Sequence, residues 1–141
     1  MKRITIILIL ITLLFNCSNS IKVYIDEELS KEGIDIWEQN VKYVELCSIG
    51  DVFFQPDVCI YKKDRPKLTS NNILGACYCK GDDRNKKPIN IHIYVNNNVV
   101  IAHEFGHYLG YDESTTAGSI MCGSVLYTNM PLEWFNEFSN R

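Results

Sequence analysis

Ile89-Asn-Ile-His-Ile-Tyr-Val95 runs through three asparagines into Val99-Val-Ile-Ala-His-Glu-Phe-Gly-His-Tyr-Leu-Gly110. In the first part, isoleucine and valine alternate with Asn90, His92 and Tyr94, the period of a strand with one face turned to a core. In the second, Val99 to Leu109 is apolar apart from His103, Glu104 and His107. A helix that is apolar nearly all round is a buried one. One of Asn96 to Asn98 can accept its first free amides as N-cap, and Gly110 stands where a left-handed C-cap glycine belongs. A buried helix that carries two imidazoles and a carboxylate needs a reason, because unpaired polar groups are costly away from water.

Working outward, Ile21 to Ile25 alternates as a strand. Ser30 is placed to cap a helix whose Ile34, Trp37 and Val41 share one face, to about Asn40. Tyr43 to Cys47 and Val58 to Lys62 read as strands separated by a turn region with Gly50, Asp51 and Pro56. Ile73 to Cys79 reads as a strand followed by a polar loop, Gly81 to Pro88. Beyond Gly110 the pattern is irregular, with a short helix expected near Pro131 to Phe138. The fold class is α+β: a small mixed twisted sheet with two main helices. The chain has 141 residues and shows no repeat and no Gly/Ser linker, so one domain is expected over residues 21–141.

Residues 1–20 read as a signal peptide. Lys2 and Arg3 precede an apolar run from Ile4 to Phe15, well short of the roughly 20 residues a spanning helix needs. Leu14-Phe15-Asn16-Cys17 is a loose lipobox, which would leave a lipidated Cys17 as membrane attachment. Ser18-Asn19-Ser20 offers ordinary cleavage instead. Either route predicts export, as a cell-surface or periplasmic lipoprotein or a secreted protein. Loss of Lys2 and Arg3 takes the formal charge from −3 to −5. An acidic chain with no basic cluster gives no footprint for nucleic acid. Cys47, Cys59, Cys77, Cys79 and Cys122 remain, and export favours disulfides among them, with at least one thiol left over. Cys122 is expected to be a disulfide partner.

The chemistry lies on the buried helix. His103 and His107 are four apart, so both rings leave one helix face a turn apart and can bind one zinc ion. Glu104 is rotated by about 100° from His103, near the metal without ligating it. There it can take a proton from a water acidified by the zinc and pass it to a leaving amine. A catalytic zinc of this kind has a third protein ligand and one open position. Gly110 lets the backbone leave the helix sharply, and Asp112 and Glu113 follow it. Further on, Ser119-Ile120-Met121 precedes a Cys-Gly pair expected to form a tight turn. His92 is expected to be a structural residue on the polar face of its strand.

His103-Glu-x-x-His107-x-x-Gly110-x-x-Glu113 with Ser-Ile-Met121 resembles the metzincin metallopeptidases. The likeness is greatest to matrixin-type catalytic domains and extends over most of Ile21 to Phe138. Ile34-Asp-Ile-Trp37-Glu is similar to their first helix, Asn72-Ile-Leu-Gly-Ala-Cys77 to their substrate-pairing edge strand, and Ile89 to Val95 to the strand that enters the active-site helix. The resemblance implies a metzincin-like single domain with a Met-turn at Met121, which shapes the floor beneath the zinc. It implies Glu113 as third metal ligand, in a position where the family has histidine. Glu113 also reaches further than Asp112 and so better replaces an imidazole. Gly123 stands where astacins have a tyrosine, and no cysteine-switch segment is present. The stretch after Met121 is short, so a small C-terminal part is expected.

The expected function is zinc-dependent endopeptidase activity outside the cytoplasm, on a protein or peptide substrate, by a monomer. The peptide would add as an extended strand near Ile73 to Cys79. Two alternatives are a metal-binding surface lipoprotein of the same fold without activity, and a zinc hydrolase acting on cell-wall peptides. An intact Glu104 argues against the first, since binding alone has no use for a general base.

Overall fold

The computed structural model describes residues 20–37, 44–50, 55–79, 88–116 and 118–123. The leader, Val41, the loop at 80–87 and the expected helix near Pro131 lie outside them. Among the described residues five strands form one sheet: β1 (Ile21–Ile25), β2 (Val44–Leu46), β3 (Val58–Lys62), β4 (Gly75–Cys77) and β5 (Ile89–Ile93). Their order is β2-β1-β3-β5-β4. β1 runs parallel to β2 and β3, and β3 parallel to β5, whereas β4 pairs antiparallel with β5 at the edge. With two helices among the described residues, α1 (Glu32–Asp35) and α2 (Asn98–Tyr108), they make a small mixed α+β domain. Among the described residues no helix is long and apolar enough to cross a membrane.

The alternation read in the sequence sets the sheet's two faces. Val23, Val58, Ile60, Ile89, Ile91 and Ile93 are buried in one core with Val99, Val100, Ile101, Ala102 and Phe105 of α2. The register places Ile60 beside Ile91 and Tyr61 beside His92, so the intervening residues share the opposite face. There His92 packs edge-on against Tyr61 and Tyr78. This is the structural place expected for it, with the sheet between its ring and the α2 histidines.

α1 is shorter than the apolar spacing suggests. It spans Glu32–Asp35 with Lys31 as N-cap, and the Ser30 hydroxyl accepts a bond from the Glu32 amide at 3.2 Å. Trp37 beyond it is fully buried, and its indole N–H donates to the Ala102 carbonyl at 2.8 Å. That bond satisfies the polar end of a large apolar side chain and ties the α1 segment to the middle of α2. The strand expected over Ile73 to Cys79 contracts to Gly75–Cys77. Val95, expected to continue β5, lies past its end and is 40% exposed.

The expected disulfides are not formed at Cys59, Cys77 or Cys122, which are free thiols. Cys59 pairs with Asn90 and Cys77 with Ile91 in the sheet ladders, so the two thiols leave opposite faces and cannot meet. The Cys77 thiol is instead hydrogen-bonded to that of Cys79, two residues on. The Cys79 thiol also donates to the His107 carbonyl at 3.3 Å.

Candidate metal centre

Asn97 is the N-cap of α2: its side-chain oxygen accepts from the amides of Val99 and Val100 at 2.9 and 3.3 Å. At the other end Gly110 has φ +93°, a backbone state that costs a side-chain-bearing residue energy. The Tyr111 amide donates back to the Gly106 carbonyl and the Gly110 amide to that of His107, both at 3.0 Å. These are the paired bonds of a Schellman turn. The turn reverses the chain so tightly that the Tyr111 carbonyl comes within 2.9 Å of His107 Nδ1.

His103 is held in the same manner from another direction. Its Nδ1 lies 3.0 Å from the carbonyl of Ile120. A carbonyl oxygen can only accept, so each imidazole carries its proton on Nδ1 and leaves the Nε2 lone pair bare. The two Nε2 atoms face each other at 3.2 Å. Glu113 Oε1 lies 3.4 Å from each of them. Two lone pairs and a carboxylate oxygen directed at one point repel unless a positive charge stands between them. The three ligand atoms lie within 4.8 Å of one another and can hold a metal ion. Burial lowers the pKa of His103 despite the opposing pull of the Ile120 carbonyl and Glu113, which favours the neutral, ligating form.

Glu113 comes from a loop, and the loop's path has an identifiable cause. The Ser114 amide donates to the Met121 carbonyl at 2.8 Å, and Ser114 bridges to Cys122. A tight turn lies just before the Cys122-Gly123 pair, and a turn centred on that pair would involve residue 124, outside the described residues. The Cys122 amide donates to the Ser119 carbonyl at 3.0 Å, which puts Ile120 and Met121 at the turn's centre. That placement makes the Ile120 carbonyl available to His103. Met121 is fully buried, its sulfur filling the space where a Cβ on Gly106 would be. Asp112 is exposed and outside the three-atom group, so Glu113 is the carboxylate brought to the histidines.

Glu104 is 8% exposed and faces β4. It accepts a hydrogen bond from the Cys77 amide, while burial and the nearby charge of Glu113 push its pKa up to about 7. A cation between the histidines would oppose the second of these and favour the ionised carboxylate. Both carboxylates open onto a cleft of about 220 Å³, whose walls include Ile73, Leu74, Val99, Val100 and Ile120. His103, Glu104 and Glu113 line it as well. Sequence reasoning had no means of finding the carbonyls of Ile120 and Tyr111 or the Cys77 amide, because backbone groups carry no residue signature.

No protein-family model matches this chain, and no curated protein matches it.

Proposed function

We propose that this protein is a zinc-dependent endopeptidase of metzincin-like fold that acts outside the cytoplasm. One observation carries the reading: the convergence of His103 Nε2, His107 Nε2 and Glu113 Oε1, at separations of 3.2 and 3.4 Å. A tetrahedral centre with bonds of about 2.0–2.1 Å spaces its donors about 3.3–3.4 Å apart. Calcium, with bonds of 2.3–2.6 Å and six or more oxygen ligands, suits neither the spacing nor the nitrogen donors. Two imidazoles and one carboxylate from three protein residues also leave a fourth position for water or substrate, as catalytic zinc sites do.

When bound, zinc supplies Lewis acidity toward a carbonyl and makes a nearby water a stronger acid. The chain's own residues do the rest. Glu104, beside the ligands on the same helix and open to the cleft, takes the proton of the attacking water and returns it to the leaving amine. Burial, the larger cause of its raised pKa, eases the return of that proton to the leaving amine. Ile120 and Tyr111 hold the two rings by their Nδ1 protons, so that each Nε2 stays aimed at one point.

The substrate class is supported by β4. It lies at the edge of the sheet, and Ile73, Leu74 and Gly75 border the cleft. An extended peptide can pair with such an edge through backbone bonds, which give affinity without demanding a particular sequence. The order β2-β1-β3-β5-β4, with an antiparallel edge strand beside a two-histidine helix, is compatible with the metzincin-like arrangement. The catalytic domain is residues 21–141, exported by the leader, and the lipoprotein route would keep Cys17 as a lipidated N-terminus that holds it to a membrane. The direct test measures bound zinc and cleavage of an unstructured protein such as casein by residues 21–141, with and without a chelator. Zinc-free protein that cleaves at the full rate would falsify the proposal. Zinc-loaded protein inert toward protein but active on cell-wall peptides would move the substrate class.

A further inference from the structure

Four of the described glycines have no backbone reason to be glycine: Gly33, Gly75, Gly106 and Gly123 lack the positive φ that Gly50, Gly110 and Gly118 adopt. At these positions the absent Cβ matters only for the space it leaves. Gly33 and Gly106 admit core neighbours, Ile101 in the first case and Met121 with Trp37 in the second. The other two open onto the cleft.

A Cβ on Gly123 would stand 2.8 Å from Glu113 Oε2 and 3.4 Å from Glu113 Cδ, and its three nearest atoms all belong to that carboxylate. A Cβ on Gly75 would stand 2.7 Å from Glu104 Cγ and 2.9 Å from Glu104 Oε1, with Val100 Cγ1 at 3.0 Å. Each working carboxylate therefore rests in the notch of a glycine supplied by a different element, β4 for Glu104 and the segment after the Ile120-Met121 turn for Glu113. Contacts below 3.0 Å are far inside ordinary van der Waals separation, so even one methyl group has to displace the carboxylate. Glu113 is 58% exposed and comes from a loop, and its carboxylate stands against His103, His107 and Gly123.

We propose that Gly123 and Gly75 are positioning residues that reserve the volume of the two carboxylates, Gly123 for the metal-ligating Glu113 and Gly75 for the general base Glu104. The assignment rests on the metal-site reading above and deepens it. The consequence at Gly123 is a loss of metal affinity without loss of fold, because the obstructed atoms are the far end of a mobile side chain. At Gly75 the consequence is a loss of turnover with the metal retained, because Glu104 is not a ligand.

The test is a pair of double-mutant cycles on purified residues 21–141, with folding checked by circular dichroism. Zinc alone is the probe in the first, measured by competitive titration. Gly123→Ala is expected to weaken zinc binding about 10- to 100-fold, the scale typical of residues that orient a ligand. In a Glu113→Ala background the same change is expected to do nothing further, because its only target is gone. An equal loss in both backgrounds means that Gly123 acts on the turn as a whole and overturns the assignment, as does wild-type affinity in Gly123→Ala. If Glu113→Ala itself retains full affinity, Glu113 is not a ligand and the Gly123 assignment falls with it. A wild-type chain that binds no zinc overturns the site reading as well, so the two failures are distinguishable. In the second cycle, Gly75→Ala is expected to keep zinc affinity within about threefold while kcat falls at least about tenfold. It is expected to add no loss in a Glu104→Gln background. A fall in the residual Glu104→Gln rate of the same size overturns the Gly75 assignment.

Discussion

Glu104 has the sharpest consequence of any single residue. It is a carboxylate buried for the sake of its position, and in the metal-free protein that position is costly. Its folded pKa of about 7 stands above the ordinary value of 4.5, chiefly through burial. Between those values the folded state holds the proton more tightly than the unfolded chain. The stability linked to it is therefore complete below pH 4.5 and is lost as pH rises through 7. In chelated protein, Glu104→Gln should raise stability at pH 8 by up to about 3 kcal/mol and have little effect at pH 4.5. Urea unfolding at the two pH values measures the difference, and an equal effect at both would mean that the carboxylate is not held protonated. In zinc-loaded protein the same variant should keep its metal and lose about a hundredfold or more in turnover. The third ligand is tested beside it. Glu113→Ala should weaken zinc strongly, Asp112→Ala by no more than a few-fold, and Glu113→His should retain the metal. A competitive titration decides, and loss of metal in Asp112→Ala alone would move the ligand one residue upstream.

At the scale of elements, the two ends of α2 do different work. Asn97 satisfies two free amides at the N-terminus, at the far end of the helix from His107. Gly110 closes the C-terminus in a Schellman turn and thereby presents the Tyr111 carbonyl to His107 Nδ1. Asn97→Ala should lower stability by about 1 kcal/mol and leave zinc affinity near normal. Gly110→Ala imposes a left-handed strain of about 1–2 kcal/mol and should also weaken zinc binding, since the backbone that orients His107 has to move. Thermal unfolding and zinc titration on both variants test the contrast. If Asn97→Ala loses as much zinc affinity as Gly110→Ala, general loosening of the helix explains both. The 119–122 turn has a similar double function. It buries Met121 under Gly106 and supplies the Ile120 carbonyl to His103.

At the scale of the molecule, the proposed metal is linked to the fold. The ligands come from a helix and a loop that converge only when β4, β5, α2 and the 119–122 turn are in place. On the proposed zinc assignment, the metal binds the folded chain in preference to the unfolded one and stabilises it, by about 2.7 kcal/mol at a free concentration a hundred times Kd. Calorimetry should find a melting temperature that rises with zinc and falls with a chelator in wild type, and a much weaker response in Glu113→Ala. Acid should oppose zinc. His103 titrates below its ordinary 6.5 because it is buried, so protons favour the unfolded chain as pH falls through that region. The metal also requires unprotonated rings. Zinc-linked stabilisation should thus shrink steeply below about pH 6, and a flat dependence from pH 5 to 8 would count against imidazole ligation.

The sequence alone determined whatever depended on periodicity and on residue type. Alternation through Ile89 to Val95 identified β5, because a period of two admits one buried face, and Val58 to Lys62 read as the strand that is β3. The caps of α2 were legible because only certain side chains can accept free amides or take a positive φ. The spacing of His103, Glu104 and His107 put three chemical groups in a known relation, since the helix sets their angles locally. Tertiary structure decided what depended on contacts between distant segments. Glu113 rather than Asp112 reaches the histidines because Ser114 is bonded to Met121, a contact with no local signature. The opposite faces taken by Cys59 and Cys77 follow from strand register, which the number of cysteines does not contain. Nothing in the sequence links Gly75 or Gly123 to a carboxylate. Their roles arise from the carboxylates that the fold brings against them, and a missing side chain has meaning only once its neighbours are in place.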